Sequence, residues 1–317
     1  MTLSPFTETE CRIKMPYISR AIVPLALMAT SRLVLAASSN CVELNIPVTA
    51  HANNTKFKTG YAVLAYDRLG AGQSSLPDAY DELQAPLQGE VLRALTELAL
   101  DGIIITASEK TGGSSGIAEY RADKVVHVGH SYGSIITNLF LPRYGFLSAG
   151  VILTGFLIDN QFANLKVEIA DLSYAPEHNP ALFANRTSGY LAFGSITALQ
   201  ADSFKKDALD PNVLSLWNDG IQSSLGVGEV LTLGTGVGDL VEDFTGPLQI
   251  FVGENDFAFC AGQCAGTFNM TQLHGIYPNV KDLDVYLQPN TGHVVQLSLN
   301  ATAGYKVIFN FLKKNGL

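Results

Sequence analysis

Charge is scarce in this 317-residue chain, where Asp, Glu, Lys and Arg together make up 15%. Basic residues are the scarcer sign, 20 Lys and Arg against 29 Asp and Glu, which leaves a net charge of −9. No basic cluster or stripe occurs, and this argues against a nucleic-acid partner. Repeats, low-complexity tracts and long charged runs are also missing, so extended disorder and coiled coil find little support. Cysteine is sparse, at four residues, and no His or Cys cluster stands beside any of them to complete a metal site. Neither a metal nor a cofactor is expected. Apolar residues, by contrast, reach 47% with 29 Gly, enough for one large α/β domain or two small ones.

The N-terminus has the order of a targeting segment. Arg12, Lys14 and Arg20 precede an apolar run over 21–35, followed by Ala36-Ala37-Ser38-Ser39. A basic region, an apolar region and small residues in that order predict a secretory leader over residues 1–39. Met15 is an alternative start, and Ser31-Arg32 interrupts the run, so no stable membrane span is expected. An uncleaved leader acting as an anchor is the alternative to secretion. Four N-x-[ST] sequons, at Asn53, Asn185, Asn269 and Asn300, fit the secretory route as glycosylation sites. In "FCAGQCAG", Cys260 and Cys264 lie close enough to pair as a disulfide. Cys11 would leave with the leader, and Cys41 is then an odd thiol.

Residues 40–317 read as the folded domain. Short apolar runs at 41–50, 61–67, 124–129, 150–154, 248–253 and 283–288 predict strands. Helical spacing appears over 89–101, with Val91, Leu92, Leu95 and Leu98, over 132–141, and again over 301–314. Strands, turns and helices alternate, and several strands are apolar on both faces. That pattern predicts a mostly parallel sheet covered by helices. The stretch of about 156–246 carries Phe156, Phe162, Tyr174, Phe183, Tyr190, Phe193 and Trp217 with Pro and Gly breaks. It is too long for a simple crossover and predicts an inserted helical cap.

The pattern G-x-S-x-G occurs twice, at 129–133 around Ser131 and at 112–116 around Ser114. A nucleophile elbow needs a strand before it, a sharp turn, and a helix after it. "KVVHVGHSYGSIITNLF" supplies all three around Ser131, with Gly129 and Gly133 expected to let strand and helix approach. Ser114 follows "ASEKTGG", which reads as a surface loop over 107–116. A serine nucleophile needs a histidine base, and that base needs an orienting carboxylate. Both are expected on loops after later strands. "GENDF" after 248–253 offers Glu254 and Asp256, and "PNTGHVV" after 283–288 offers His293. Ser131, Asp256 and His293 therefore form the candidate triad, with Glu254 as the competing acid. His127 falls inside a strand and is expected to be buried. His130 belongs to the elbow, as a pocket or packing residue. His51, His178 and His274 follow no strand closely, and Asp282 and Asp284 lie at the wrong end of theirs.

These blocks resemble the α/β-hydrolase superfamily, and are most similar to its secreted fungal members of the general AB hydrolase 1 type. The matching stretches are "GYAVLAYDRLGAGQSS", "VVHVGHSYGS", "GVILTGF", "IFVGENDFAFC" and "NTGHVVQLSLNA", and the likeness covers 41–50 and 58–317. The resemblance implies the α/β-hydrolase fold, hydrolysis of an ester or related bond, and nucleophile, acid and base roles for Ser131, Asp256 and His293. It also implies that the backbone N–H of Tyr132 is one oxyanion donor. The second donor should come from an earlier loop, often marked by His-Gly. The stretch "CVELNIPVTAHANNTKFKTG" has one predicted strand, no His-Gly and only Gly60. Two central strands and the oxyanion loop are thus missing, with the junction at Phe57-Lys58. A skipped exon or faulty gene model explains the gap, and a natural deletion is the alternative.

The expected activity is a serine hydrolase acting on a small apolar ester or lactone, with His130, Phe156 and Trp217 as candidate pocket residues. A secondary-metabolite tailoring hydrolase is a narrower form of that reading. Ser131 argues against epoxide and haloalkane hydrolysis, for which this fold carries Asp at the nucleophile position. The competing expectation is a catalytically impaired or purely binding homologue that lacks its oxyanion loop.

Overall fold

The computed structural model describes residues 27–37, 40–53, 61–102, 104–108, 116–158 and 162–317, of which 27–37, 40–53, 104–108 and 116–120 are described as strands only. Twelve strands are named in chain order. They are β1 Leu27–Ala37, β2 Asn40–Asn53, β3 Val63–Tyr66, β4 Ile104–Ser108, β5 Gly116–Tyr120, β6 Val126–His130, β7 Gly150–Thr154, β8 Leu172–Tyr174, β9 Tyr190–Phe193, β10 Leu225–Gly226, β11 Leu248–Gly253 and β12 Leu283–Gln288.

The central sheet has the order β12-β11-β7-β6, and every pairing in it is parallel. Its inner strands explain the apolar runs in the sequence, because β7 and β11 are buried at every position. Successive side chains face opposite layers. Val151 and Leu153 pack with Ile135 and Phe140 of the helix Tyr132–Tyr144. Ile152, between them, packs with Phe311 and Leu312 of the C-terminal helix Ala301–Lys314. Each fully buried side chain of this kind contributes about 1.5–3 kcal/mol. The helix Ala85–Asp101 packs on the elbow helix from outside, and its Val91, Leu95 and Leu98 join a second core with Leu69, Leu83 and Tyr190. The α/β-hydrolase fold expected from the sequence is therefore present.

Between β7 and β11 lies the segment expected as a cap. It contains the helices Ala163–Ala170 and Ile196–Ser203 and several shorter ones. It also holds an antiparallel sheet, β10-β9-β8, which the helical reading omitted. These strands are two to four residues long, too short to leave a period in the sequence.

Two other segments carry strands beyond those expected. Leu27–Ala37, inside the stretch read as a leader, pairs antiparallel with β2, and β2 pairs with β3. The loop expected over 107–116 is cut at both ends, because β4 and β5 form a hairpin around it. Ser114 itself lies outside the described residues, as do Cys11, Gly60 and the Phe57-Lys58 junction.

Among the described residues β6, the strand that leads into Ser131, is an edge strand. The C-terminal helix reaches Val126, but Val128 stays 63% exposed. An apolar edge of this kind is a template for pairing with another chain. Val128→Lys should lower self-association in light scattering while the melting temperature holds. Unchanged association would place the sticky surface elsewhere.

On the covered side of β6, His127 is 6% exposed. Its Nε2 lies 2.9 Å from Thr96 Oγ1 and its Nδ1 2.9 Å from Ser148 Oγ. Burial pulls its pKa down to about 4. The folded state thus binds this proton less readily than the unfolded chain, whose histidines titrate near 6.5. The stability it gives is complete above about pH 6.5 and falls as pH drops toward 4, by on the order of 3 kcal/mol. Denaturant unfolding at pH 7 and pH 4.5 should show this loss in the wild type and a smaller one in His127→Gln.

Candidate active site

Ser131 occupies a backbone conformation that few non-glycine residues adopt, with φ 52° and ψ −118°. Its N–H donates to the Thr154 carbonyl at the end of β7, at 2.9 Å, and the Ser134 hydroxyl donates to the same carbonyl at 2.8 Å. Ser131 is the N-cap residue of the helix Tyr132–Tyr144. The two expected glycines differ in role. A Cβ on Gly129 would come within 2.6 Å of the Gly133 carbonyl oxygen and the Ser134 Cα, so only glycine fits there. A Cβ on Gly133 would meet nothing within 4 Å, so the expected close approach at Gly133 is not found. The reason is direction, since Gly133 faces open space on the first turn. The Tyr132 and Gly133 amides open the helix and make no backbone hydrogen bond with a described residue. Free helix-start amides are what an oxyanion requires.

Asp256 lies three residues beyond β11 and is fully buried. One carboxylate oxygen accepts from the Phe259 N–H at 3.0 Å, as N-cap of the helix Phe257–Cys260. The other pairs with His293 Nδ1 at 2.8 Å. The competing Glu254 is exposed and accepts from the Asn290 N–H at 3.1 Å, so it braces the histidine loop from outside. Cys260 and Cys264 form a disulfide, and the Cys264 N–H donates to the Glu254 carbonyl at 3.1 Å. The bridge closes the turn that follows the helix begun by Asp256.

His293 is 3% exposed. Its loop is held by Asn255 N–H donating to the Thr291 carbonyl and Val294 N–H donating to the Ser203 carbonyl, each at 2.9 Å. The ring packs on His130, with centroids 4.9 Å apart, and on Phe259 at 5.4 Å. Behind it stands Gly155, with φ +53°, where a Cβ would meet His293 Cε1 at 2.7 Å and Nδ1 at 2.9 Å. Thr154 and Gly155 thus wall both the serine elbow and the histidine. No hydrogen bond links the Ser131 hydroxyl to His293 among the described residues. Ser131, Gly155, Asp256 and His293 all follow the carboxyl ends of parallel strands, where open α/β sheets place their sites.

The pocket candidates separate. His130 contacts His293, and its Nδ1 lies 3.0 Å from Thr154 Oγ1. Burial, with His293 and Lys166 nearby, pushes its pKa well down, so it stays neutral. Phe156 is fully buried in the core and lines no open surface, because it continues the buried run of β7. Trp217 packs edge-on against Phe204 at 5.5 Å, in a cluster that also holds Val294. His274 is exposed, and His178 ends a short helix. The side chains of His51, Asn53 and Cys41 lie outside the described residues. Asp282 pairs with Lys314 at 2.8 Å, and Asp284 accepts from Gln249. Of the sequon asparagines, Asn185 and Asn269 are exposed. Asn300 is tied to Pro289 and Thr291 at 2.7 and 2.9 Å. Among the described residues no group of His, Cys, Asp and Glu could hold a metal, and no helix is long and apolar enough to cross a membrane.

Several residues beside the site had no sequence signal. Arg68 lies 5.0 Å over the Tyr132 ring and pairs with the fully buried Glu229 at 2.7 Å. Glu229 also accepts from Gln88 and from the Gly226 N–H, each at 2.8 Å. This network joins the turn after β3, the helix Ala85–Asp101, the segment between β7 and β11, and the elbow helix. Arg68 falls within the Gly-rich turn "DRLGAGQSS", where no rule singles it out. Nothing pointed to Glu229, Lys166 or Asp202.

Gly155→Ala should push the His293 ring away from Asp256. The expected result is a folded protein with near-wild-type circular dichroism and loss of the downfield His293 Nδ1 proton in NMR. A retained resonance would show that the wall can yield.

The sequence model described as "Alpha/beta hydrolase family" matches residues 48–303. Among curated proteins no match is found. A thermophilic esterase from Thermogutta terrifontis superposes with a TM-score of 0.56 at 16% identity, covering 90% of this chain and 98% of the esterase. A structure from a study of Nitrososphaera gargenis carboxylesterases gives 0.55 at 12% identity, covering 90% and 99%. A monoacylglycerol lipase from Paleococcus ferrophilus gives 0.50 at 12% identity, covering 81% and 85%. Identities this low bear on the fold alone. The family match spans well over half of the chain, and the protein belongs to the alpha/beta hydrolase family.

Proposed function

We propose that this hydrolase is a serine esterase acting on a small apolar ester or lactone through Ser131, His293 and Asp256. The observation that carries the reading is the 2.8 Å bond between Asp256 and His293 Nδ1 beside a strained elbow serine. Asp256 fixes the tautomer, so that Nε2 is free to take the serine proton. Ser131 Oγ attacks the acyl carbon, and the oxyanion forms toward the Tyr132 amide. His293 then passes its proton to the leaving alcohol. Water, deprotonated by His293, cleaves the acyl-enzyme and restores Ser131. The gap between serine and histidine is no obstacle, because such contacts often tighten only with substrate in place. The esterase and lipase structural neighbours support an ester substrate for this chain.

The narrower parts of the reading rest on sequence. They are a secreted, glycosylated protein of the fungal AB hydrolase 1 type, cleaved after its leader, with membrane anchoring as the alternative and tailoring chemistry as one use. A second reading, an impaired or binding-only homologue, is favoured by one observation. β6 is an open edge, and its neighbour in the sheet would be the source of a second oxyanion donor. Loss of one such donor costs about 10²–10³ in turnover.

A fluorophosphonate probe should label Ser131. Labelling should vanish in Ser131→Ala and fall at least about 100-fold in His293→Ala. Absence of labelling in well-folded protein would refute the esterase. Labelling with ester turnover about 10²–10³ below that expected of an intact hole would favour the impaired enzyme.

A further inference from the structure

Phe259 touches both the proposed acid and the proposed base. Its N–H donates to the Asp256 carboxylate at 3.0 Å. Its ring packs on the His293 ring, with centroids 5.4 Å apart and planes tilted by 38°. The next residue is Cys260, which is bridged to Cys264. The placement of Phe259 in the short helix Phe257–Cys260 is therefore tied to the disulfide.

The chain after Phe259 folds back onto Asp256. The Asp256 carbonyl accepts from Cys260 N–H at 3.2 Å and from Gly262 N–H at 3.0 Å. This reversal puts Ala261 in left-handed backbone, with φ 52°. A non-glycine residue keeps that conformation where its surroundings over-determine it. Ala261 lies between the bridged cysteines, and both cysteines are buried. The far end of the turn is fixed as well, since Cys264 N–H donates to the Glu254 carbonyl at 3.1 Å. The bridge and these bonds anchor both sides of the turn to the backbone of Glu254 and Asp256.

Two helices from the segment between β7 and β11 pack against Phe257–Cys260. Ala163–Ala170 places Lys166 Nζ 4.2 Å from the Phe259 ring centroid, a cation–π contact on the same ring. Ile196–Ser203, which buries Asp202, ends at the carbonyl that accepts Val294 N–H. The ring is thus held from the segment as well as from its own helix. The bridge itself spans a sequence separation of only 4. The entropy that a cross-link removes from the unfolded chain grows with the loop it closes. A bridge this short adds less to global stability than a long-range one, and what it fixes is local.

We propose that Phe259 is a positioning residue held by the Cys260–Cys264 disulfide, and that the Asp256–His293 pair keeps its alignment only while the bridge is closed. Opening the bridge frees the turn at Ala261, and with it the Phe259 amide and ring. The acid then loses the bond that orients its second oxygen, and the base loses an aromatic wall. The effect on turnover rests on the esterase reading, whereas the alignment can be read without chemistry.

The experiment compares wild type with Cys260→Ala/Cys264→Ala and with Phe259→Leu, in which the bridge is intact. The downfield His293 Nδ1 proton should be sharp in wild-type NMR spectra and lost or broadened in both variants, with circular dichroism near that of wild type. On p-nitrophenyl butyrate, kcat should fall about tenfold in each variant while KM stays within about twofold. Phe259→Tyr, which keeps the ring, should recover most of that loss. A lower melting temperature with the resonance and kcat retained would mark a mere staple and overturns the proposal. Should the cysteine variant not fold, dithiothreitol on folded wild type takes its place. Each cysteine then gains a hydrogen as the reagent is oxidised to its cyclic disulfide. Loss of the resonance in reduced, folded protein supports the clamp. A resonance that survives complete reduction, or global unfolding on reduction, overturns it. Wild type that shows the resonance but turns over no ester, with the resonance lost in the variants, would overturn the esterase and leave the clamp standing.

Discussion

The carbonyl of Thr154 is the fixed point of this site. It takes the Ser131 amide and the Ser134 hydroxyl, and so holds a backbone angle that serine otherwise avoids. Strain of this kind costs on the order of 1–3 kcal/mol and persists only where the surroundings over-determine it. The surroundings here are the parallel register of β6 on β7, with His130 opposite Thr154, and the contact that leaves room only for glycine at 129. The next residue, Gly155, passes the constraint to His293. A single strand end thus sets both Ser131 and His293, and β11 adds Asp256 in the same direction.

The parts of this arrangement that could be read from the sequence are those with strong local rules. A fully buried parallel strand writes itself as an unbroken apolar run, and "GVILT" and "LQIFVG" match β7 and β11 end to end. The elbow combines such a run with a glycine that has a steric reason. The choice of Asp256 over Glu254 was only ranked from sequence, since both follow the same strand. Burial separates them, one carboxylate enclosed and the other in water. The hairpin of β4 and β5 and the small sheet β10-β9-β8 are not legible, because their strands gain stability from pairing rather than from a pattern of their own. Arg68 and Glu229 meet only in the folded chain, 161 residues apart, and no spacing rule spans that distance.

The open edge of β6 and the arranged site are less contradictory than they look. The contacts that position Ser131, Asp256 and His293 all lie on the β7 and β11 side of the sheet, or in the segment between those strands. None of them uses the exposed edge. The geometry of the proposed nucleophile, base and acid can therefore stand while no described strand pairs with the far side of β6. What the edge could supply is a second donor to the oxyanion. The two defects proposed for a shortened sheet, self-association and slow turnover, come from the same strand but are separable. A surface charge on Val128 addresses the first and leaves the second untouched.

Three histidines lie within or beside this strand–elbow unit, and their surroundings assign them different tasks. His127 sits between two hydroxyls and an aromatic ring, 4.7 Å from Phe140, with no carboxylate to favour its charged form. His130 is partly buried, with Thr154 at its Nδ1. Each is held neutral by the cost of desolvating an imidazolium. His293 is as deeply buried, but it alone has an ionisable partner on Nδ1. The proposed base would gain and lose a proton, which needs that compensation, and its neighbours must not compete for the proton. Environments that push adjacent titratable groups apart are how acid–base roles are distributed within one site. Here the distribution follows from which of three similar rings faces a carboxylate.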